Sequence, residues 1–174
     1  MNHPTPLETE VKVRVSSLEE LAPKLEAQGF HLEISAQLER SVLWDRDREL
    51  LNKGCALRMR RYAGKAWITW KGAKLEDPLL KIRPELETSL ADPVAMEQIL
   101  EALGYAPVLA MEKTRALWRR ADLLACLDAT PFGSYLELEG EAAAIRIAME
   151  ALGLDVASVE TRSYPALFRA AGLA

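Results

Sequence analysis

Glu8, Glu10 and Lys12 alternate with Thr9 and Val11 near the start of a 174-residue chain. On a β-strand successive side chains point to opposite faces. Glu8, Glu10, Lys12 and Arg14 therefore share one face, while Val11, Val13 and Val15 share the other. Paired carboxylates suit a hard divalent cation, and neighbouring cations suit phosphate. A solvated strand shows the same alternation, so the pattern gains meaning only if other strands repeat it.

They do. Arg58 and Arg60 share a face, with Leu57 and Met59 opposite. Lys71 lines up with Thr69 and Trp67, and Lys81, Arg83, Glu85 and Glu87 line up against Ile82, Pro84 and Leu86. Lys113, Arg115 and Arg119 form another row, Asp128 shares a face with Cys126 and Leu124, and Tyr135, Glu137 and Glu139 oppose Leu136 and Leu138. These faces cluster by sign, which costs repulsion unless a counter-ion is present. A polyanion together with a divalent metal would satisfy both sets. Such strands admit an open sheet with its charged faces in water, or a closed sheet with those faces lining a lumen. Clustering by sign favours closure.

The elements that must position these residues can be read from punctuation and periodicity. The first strand covers about residues 7–15. Ser16 or Ser17 caps a helix through Gln28 on the stripe Leu18, Leu21, Leu25, with Gly29 as its stop and Pro23 bending its first turns. A long strand spans about 33–45, and 46–54 is a charged loop or short helix. Strands 56–62 and 65–72 flank an Ala63-Gly64 turn, and a further strand covers about 79–88. Asp92 caps a helix with Pro93 at its first position, ending at Gly104. Strands 109–120, 123–130 and 134–140 follow, the last two joined by Pro131-Phe132-Gly133. Helices over about 142–152 and 163–171 complete the chain. The endings Leu25–Phe30, Leu100–Tyr105 and Met149–Leu154 are alike, each a glycine followed by an apolar residue. They read as convergent capping, with a duplicated unit as the alternative.

Composition narrows the function. Hydrophobic residues make up 49% and charged residues 28%, which suits a globular domain with a real core. A net charge of −4 offers no global field for nucleic acid or an anionic membrane. Met1–Pro6 has no signal-peptide core, and no apolar run reaches transmembrane length. Cys55 and Cys126 lack metal-ligand spacing and read as buried thiols of a cytoplasmic protein. His3, in a terminus expected to fray, and His31, after a helix end, are the only histidines, which disfavours a histidine triad or zinc site.

Taken in order, these motifs resemble the CYTH superfamily, the triphosphate tunnel metalloenzymes. Glu8-Thr9-Glu10-Val11-Lys12 resembles its ExExK signature, Leu57-Arg58-Met59-Arg60 its LRxR strand, and Thr69-Trp70-Lys71-Gly72 its single-lysine strand. Arg83-Pro84-Glu85-Leu86-Glu87 resembles RxExE, and Glu112-Lys113-Thr114-Arg115 the KxR strand. Leu127-Asp128 with Leu136-Glu137-Leu138-Glu139 resembles the closing acidic pair, and Arg162-Ser163-Tyr164 the terminal SY element. The resemblance implies an α+β fold: an eight-stranded antiparallel barrel with helices outside, as one domain over residues 1–174.

It also implies roles. Glu8, Glu10, Glu137 and Glu139 would bind Mg²⁺ or Mn²⁺ with Asp128 close by, and Glu85 and Glu87 would help hold a second metal. Lys12, Arg58, Arg60, Lys71, Arg83, Lys113 and Arg115 would grip the triphosphate, with Lys12, Glu8 and Glu10 as the expected catalytic set. Pro84 departs from the pattern and suggests an edge or bulge there. Trp44 is expected to pack in the core. Relatives often dimerise, so a homodimer is one expected state. The partner would be a small triphosphate-bearing molecule, with no nucleic acid and no membrane. A metal-dependent triphosphatase needs the fewest parts. An adenylate cyclase would use the same cradle but needs a base pocket and an aligned ribose. A polyphosphate- or nucleotide-binding module would not need the full set of acids.

Overall fold

The computed structural model, which describes residues 4–173, shows how the alternating strands close on one another. The strands are β1 Leu7–Val15, β2 His31–Asp45, β3 Ala56–Tyr62, β4 Lys65–Lys71, β5 Lys81–Ser89, β6 Ala106–Arg120, β7 Leu123–Thr130 and β8 Gly133–Glu139. They pair antiparallel into a closed barrel in the order β1-β5-β4-β3-β2-β6-β7-β8. The helices are α1 Leu21–Ala27, α2 Glu49–Asn52, α3 Pro93–Ala102, α4 Ala142–Ala151 and α5 Tyr164–Ala170. Among the described residues no helix is long and apolar enough to cross a membrane. His3 lies outside the described residues.

Apolar faces point outward from the barrel and are covered where helices meet them. The largest cluster joins Val11 and Val13 of β1, Leu136 and Leu138 of β8 and Ala125 and Leu127 of β7 to Leu21, Leu25, Ile145, Ala148 and Met149 of α1 and α4. Leu100 of α3 packs with Trp44 and Met59, so Trp44 is buried as expected. Phe168 of α5 packs on Leu109 and Met111 at one end of β6. Asp45 closes the turn into α2, where its carboxylate accepts from the backbone N–H groups of Arg46, Leu50 and Leu51 at 2.7–3.1 Å.

The three similar helix endings share one geometry. Gly29, Gly104 and Gly153 all have positive φ, between 66° and 83°. The following residue donates back five positions in each, Phe30 to Leu25, Tyr105 to Leu100 and Leu154 to Met149, at 2.9–3.0 Å. That double-bonded stop needs a left-handed residue, which explains the glycine without invoking a repeat.

Several boundaries differ from the sequence expectation. α1 starts at Leu21, not at Ser16 or Ser17. Pro23 is thereby in the first turn, where its missing N–H removes no helical bond. β2 begins at His31 and β6 at Ala106, earlier than expected, because these two long strands pair along almost their full length. Pro84 lies on neither an edge nor a free end: β5 is paired with β1 and β4, and Pro84 sits opposite Leu7 where the β4 ladder ends. Its carbonyl accepts from the Gly72 N–H at 2.8 Å. Cys126 is buried, whereas Cys55 is only half-buried.

The helix-covered and bare parts of the barrel should differ sharply in sensitivity. Leu136→Ala removes a fully buried side chain beneath the helices and is expected to cost about 2–5 kcal/mol in urea unfolding. Leu86→Ala, on the 53% exposed outer face of β5, is expected to cost under about 0.5 kcal/mol. Equal effects would mean that the helices do not define the core.

Candidate functional site

Barrel register brings the charged rows into one lumen. Across β1 and β8, Glu10 stands opposite Glu139 and Lys12 opposite Glu137. Across β1 and β5, Glu8 faces Arg83 and Glu10 faces Lys81. Lys71 pairs in register with Glu85, and Thr69 with Glu87. On the other side Glu39 faces Lys113, and Arg115 faces Asp128. The lumen is a cavity of about 1250 Å³, and every expected site residue except Asp128 lines it.

One wall is dominated by carboxylates from β1, β5 and β8. Lys71 Nζ donates to both Glu8 oxygens at 2.6 Å and approaches Glu85 at 2.7 Å. Lys81 Nζ donates to Glu10. Burial, then the neighbouring Glu10 charge, pushes the Glu8 carboxyl up to about 8, and it shares a hydrogen bond with Glu85. Glu139 is also raised, by burial and then by Glu10. Burial works hardest against ionised Glu10 too, but Lys81, Lys71 and Lys12 together outweigh it and hold this carboxyl below its ordinary range.

The donors of this wall are all oxygens, and like charge crowds them, so they suit a hard divalent cation. Among the described residues, however, no three such side chains are gathered around one point as a metal cage. Lysine ammonium groups stand between the carboxylates instead.

The facing wall is dominated by cations, and a second layer fixes them. Asp128, fully buried behind the lining, accepts from Arg115 Nε at 2.7 Å, Arg115 Nη2 at 2.6 Å, Lys113 Nζ at 2.9 Å and the Tyr164 hydroxyl at 2.6 Å. Arg115 also donates to Glu137 at 2.5 Å. The Lys12 and Lys113 ammonium groups each lie 4.0 Å from the Tyr164 ring centre, a cation–π arrangement supplied by α5. Arg60 donates to Glu87 at 3.2 Å and stacks over Trp67 at 4.8 Å, while Thr69 donates to Glu87 at 2.7 Å. Arg58 reaches Glu87 only at 3.9 Å.

Lys12 is almost completely buried, and its nearest carboxylate oxygen, on Glu137, is 3.8 Å away. Burial pulls its ammonium down to about 8. Lys12 Nζ, Arg58 Nε and Arg60 Nε are buried donors without hydrogen-bond partners.

Some expected residues occupy unexpected positions. Arg83 lines the lumen, but its guanidinium donates to the backbone carbonyls of Gly72, Lys71 and Gly54. Asp128 has its carboxylate committed to Lys113, Arg115 and Tyr164. Glu39 went unnoticed in the sequence, yet it is 2% exposed and within 4 Å of Arg60, Lys113 and Arg115. Its strand carries register shifts near Leu32, Ile34 and Gln37. Exposed Leu38 and Arg40 flank it, so the local sequence resembles an ordinary solvated strand. Period-two alternation from Ser41 and Leu43 was the signal that could have found it. Lys81 was visible on its strand face, but its pairing with Glu10 depends on non-local register.

Known proteins share this architecture. A Vibrio parahaemolyticus protein described as a candidate adenylate cyclase superposes with a TM-score of 0.84 at 19% identity, covering 95% of this chain and 99% of that one. A Hippeastrum protein, described as a candidate adenylyl cyclase with a dominant triphosphatase activity, gives a TM-score of 0.67 at 21% identity over 94% and 96% of the two chains. These two likenesses establish the fold. In sequence, a Methanocaldococcus jannaschii protein described as a candidate adenylate cyclase is 30% identical over 135 residues, 76% of each chain. Residues 6–164 match the CYTH domain, almost the full span over which the charged strands close the barrel. With its tunnel and this match in agreement, the chain belongs to the CYTH domain family.

Proposed function

We propose that this protein is a divalent-metal-dependent triphosphatase that cleaves inorganic triphosphate or a small organic triphosphate inside the tunnel. The observation that carries the reading is the set of orphaned cationic donors, Lys12 Nζ, Arg58 Nε and Arg60 Nε, buried on one lumen. A buried donor without a partner is costly, and a cation more so. Phosphate oxygens supply both the acceptors and the opposite charge.

Each residue has a distinct part. Arg60, Arg58, Lys113, Arg115 and Lys12 bind phosphate oxygens and stabilise charge that develops on them as the terminal P–O bond breaks. Asp128 and Tyr164 act through Lys113 and Arg115, holding them in place. Glu8, Glu10, Glu85 and Glu139, with Glu137 and Glu87 beside them, would hold Mg²⁺ or Mn²⁺. When bound, such a cation neutralises phosphate oxygens and lowers the pKa of an attacking water. Lys71 holds Glu8 and Glu85 and Lys81 holds Glu10; with a cation bound among the acids, both ammonium groups would be free to bind the phosphate chain.

The competing reading is an adenylate cyclase. It is favoured by the description of the M. jannaschii relative and by a lumen roomier than a phosphate chain requires. Cyclisation needs a base pocket and a ribose hydroxyl aligned on the α-phosphorus, parts that hydrolysis does not require, so hydrolysis is preferred. Incubation with Mg²⁺ or Mn²⁺ separates the two. Orthophosphate release from inorganic triphosphate or ATP, with no cyclic product, is expected; cyclic AMP with pyrophosphate as the main products would replace this reading by the cyclase.

Lys12→Ala is expected to lower turnover about a hundredfold or more while the melting temperature changes little, since the ammonium makes no hydrogen bond that the fold needs. A variant with normal kcat would remove Lys12 from the site.

Binding without metal should weaken as pH rises. Lys12 loses its charge on passing about 8, and Glu8 gains one on passing about 8, so both changes disfavour an anion. Calorimetric titration of ATP in EDTA is expected to show affinity falling about tenfold between pH 7 and 9. A flat profile would separate these two groups from the bound phosphates.

A further inference from the structure

Two carboxylates serve the same cations in different ways. Asp128 spends its oxygens on hydrogen bonds of 2.6–2.9 Å to Lys113, Arg115 and Tyr164. Glu39 stands off. Its Oε2 is 3.6 Å from Arg115 Nη1 and 3.9 Å from Arg60 Nη1, and its Oε1 is 3.7 Å from Lys113 Nζ. None of these is a hydrogen bond. Its one polar contact of that kind is the Ser41 hydroxyl, at 3.4 Å, and Oε2 has no hydrogen-bond partner.

Glu39 is nevertheless ionised. Although burial opposes its charge, Arg115 and then Lys113 hold the carboxyl down at about 2. A carboxylate kept to brace the cations would take their N–H groups, as Asp128 does. This one subtracts a charge from the cluster and leaves the Arg60 and Arg115 Nη1 donors unspent toward the lumen.

We propose that Glu39 is a built-in counter-anion of the phosphate cradle, a specificity-determining residue that selects against the most highly charged phosphate chains. The proposal rests on the triphosphate reading above and deepens it. An anion entering the cradle meets the same three nitrogens that surround Glu39 and is repelled by its carboxylate in proportion to its own charge. Inorganic triphosphate is ionised at both ends. A triphosphate esterified to an organic group has one end capped and carries less charge. Glu39 therefore biases the tunnel toward organic triphosphates, and the lumen of about 1250 Å³ has room for their second moiety.

The test is equilibrium binding in EDTA, where no turnover is required. Inorganic triphosphate and ATP are titrated into the wild type, Glu39→Gln and Glu39→Asp. Removing the charge at constant shape is expected to tighten inorganic triphosphate about tenfold and ATP about sixfold. Glu39→Asp keeps the charge and should keep the wild-type ratio. A Gln variant that binds inorganic triphosphate no better than the wild type overturns the proposal, as does an Asp variant that behaves like Gln, or an absence of binding by all three.

Anion rescue supplies a second measurement should Glu39→Gln be unstable. Its melting temperature should rise with millimolar inorganic phosphate more than that of the wild type, because phosphate takes over as counter-anion. Indifference to phosphate also overturns the proposal. Failure of the hydrolase reading would appear separately, as wild-type binding without orthophosphate release in the presence of metal.

Discussion

Charge buried inside a closed barrel must be balanced there, and the structure is organised around that constraint. Ions removed from water lose several kcal/mol of solvation each, recovered only through opposite charge and hydrogen bonds. The wall meets this by register. It sets carboxylates (Glu8, Glu10, Glu39, Glu85, Glu87, Asp128, Glu137, Glu139) against cations (Lys12, Arg58, Arg60, Lys71, Lys81, Arg83, Lys113, Arg115). Balance is not uniform pairing, however. Acids concentrate on β1, β5 and β8, and cations on β3 and β6. The lumen thus has a polar axis across it, which suits a ligand that is itself an anion bound to a cation.

The same constraint explains what lies outside. Because β1, β7 and β8 spend their polar faces on the lumen, their other faces are apolar and are hidden from water. Helices α1 and α4 cover β1, β7 and β8, and α3 covers the region around Met59. α5 serves the lumen instead. Phe168 packs on Leu109 and Met111, in the same row of β6 as Lys113, while Tyr164 reaches Asp128 and the ammonium groups of Lys12 and Lys113. The terminal helix thus packs on the lumen side and fixes the cation wall.

Much of this was legible from residue order because alternation is a local property. Val11 and Val13 against Glu10 and Lys12, or Leu136 and Leu138 against Glu137 and Glu139, declare both the strand and its two faces within a few residues. Closure of the sheet and the identity of the lumen rows followed from sign clustering together with the ordered motifs. What was hidden depends on longer range. The Lys81–Glu10 and Lys71–Glu8 bridges arise from pairings over about seventy positions of sequence. Asp128 alternates correctly with lumen residues but stands behind the lining, because Arg115 and Lys113 fold over it. Glu39 was obscured because its row in β2, with Ser35, Gln37 and Ser41, shows no clustering by sign, and exposed Leu38 and Arg40 flank it. The start of α1 was misplaced because Ser16 and Ser17 are good caps in sequence, whereas the chain is still turning at Leu18.

Contrast between the two kinds of buried carboxylate carries the argument further. A group that only needed to pay the desolvation cost of Arg115 would sit where Asp128 sits, with its oxygens consumed. Such a pair is rigid, and rigidity lets Arg115 and Lys113 meet a phosphate without reorganising. Carboxylates that face the lumen behave differently: Glu8 shares a hydrogen bond with Glu85, and Glu10 and Glu85 hold the lumen lysines Lys81 and Lys71. Under the proposed function, positive charge among these acids would free those lysines, and negative charge among the arginines would draw them across. Binding of cation and anion would then be cooperative, since each would relieve the counter-ion that the other requires. Glu39 lies outside these pairings, too far from its cationic neighbours to be hydrogen-bonded to them and too buried to be solvated, and a carboxylate in that position would act on a phosphate through charge alone.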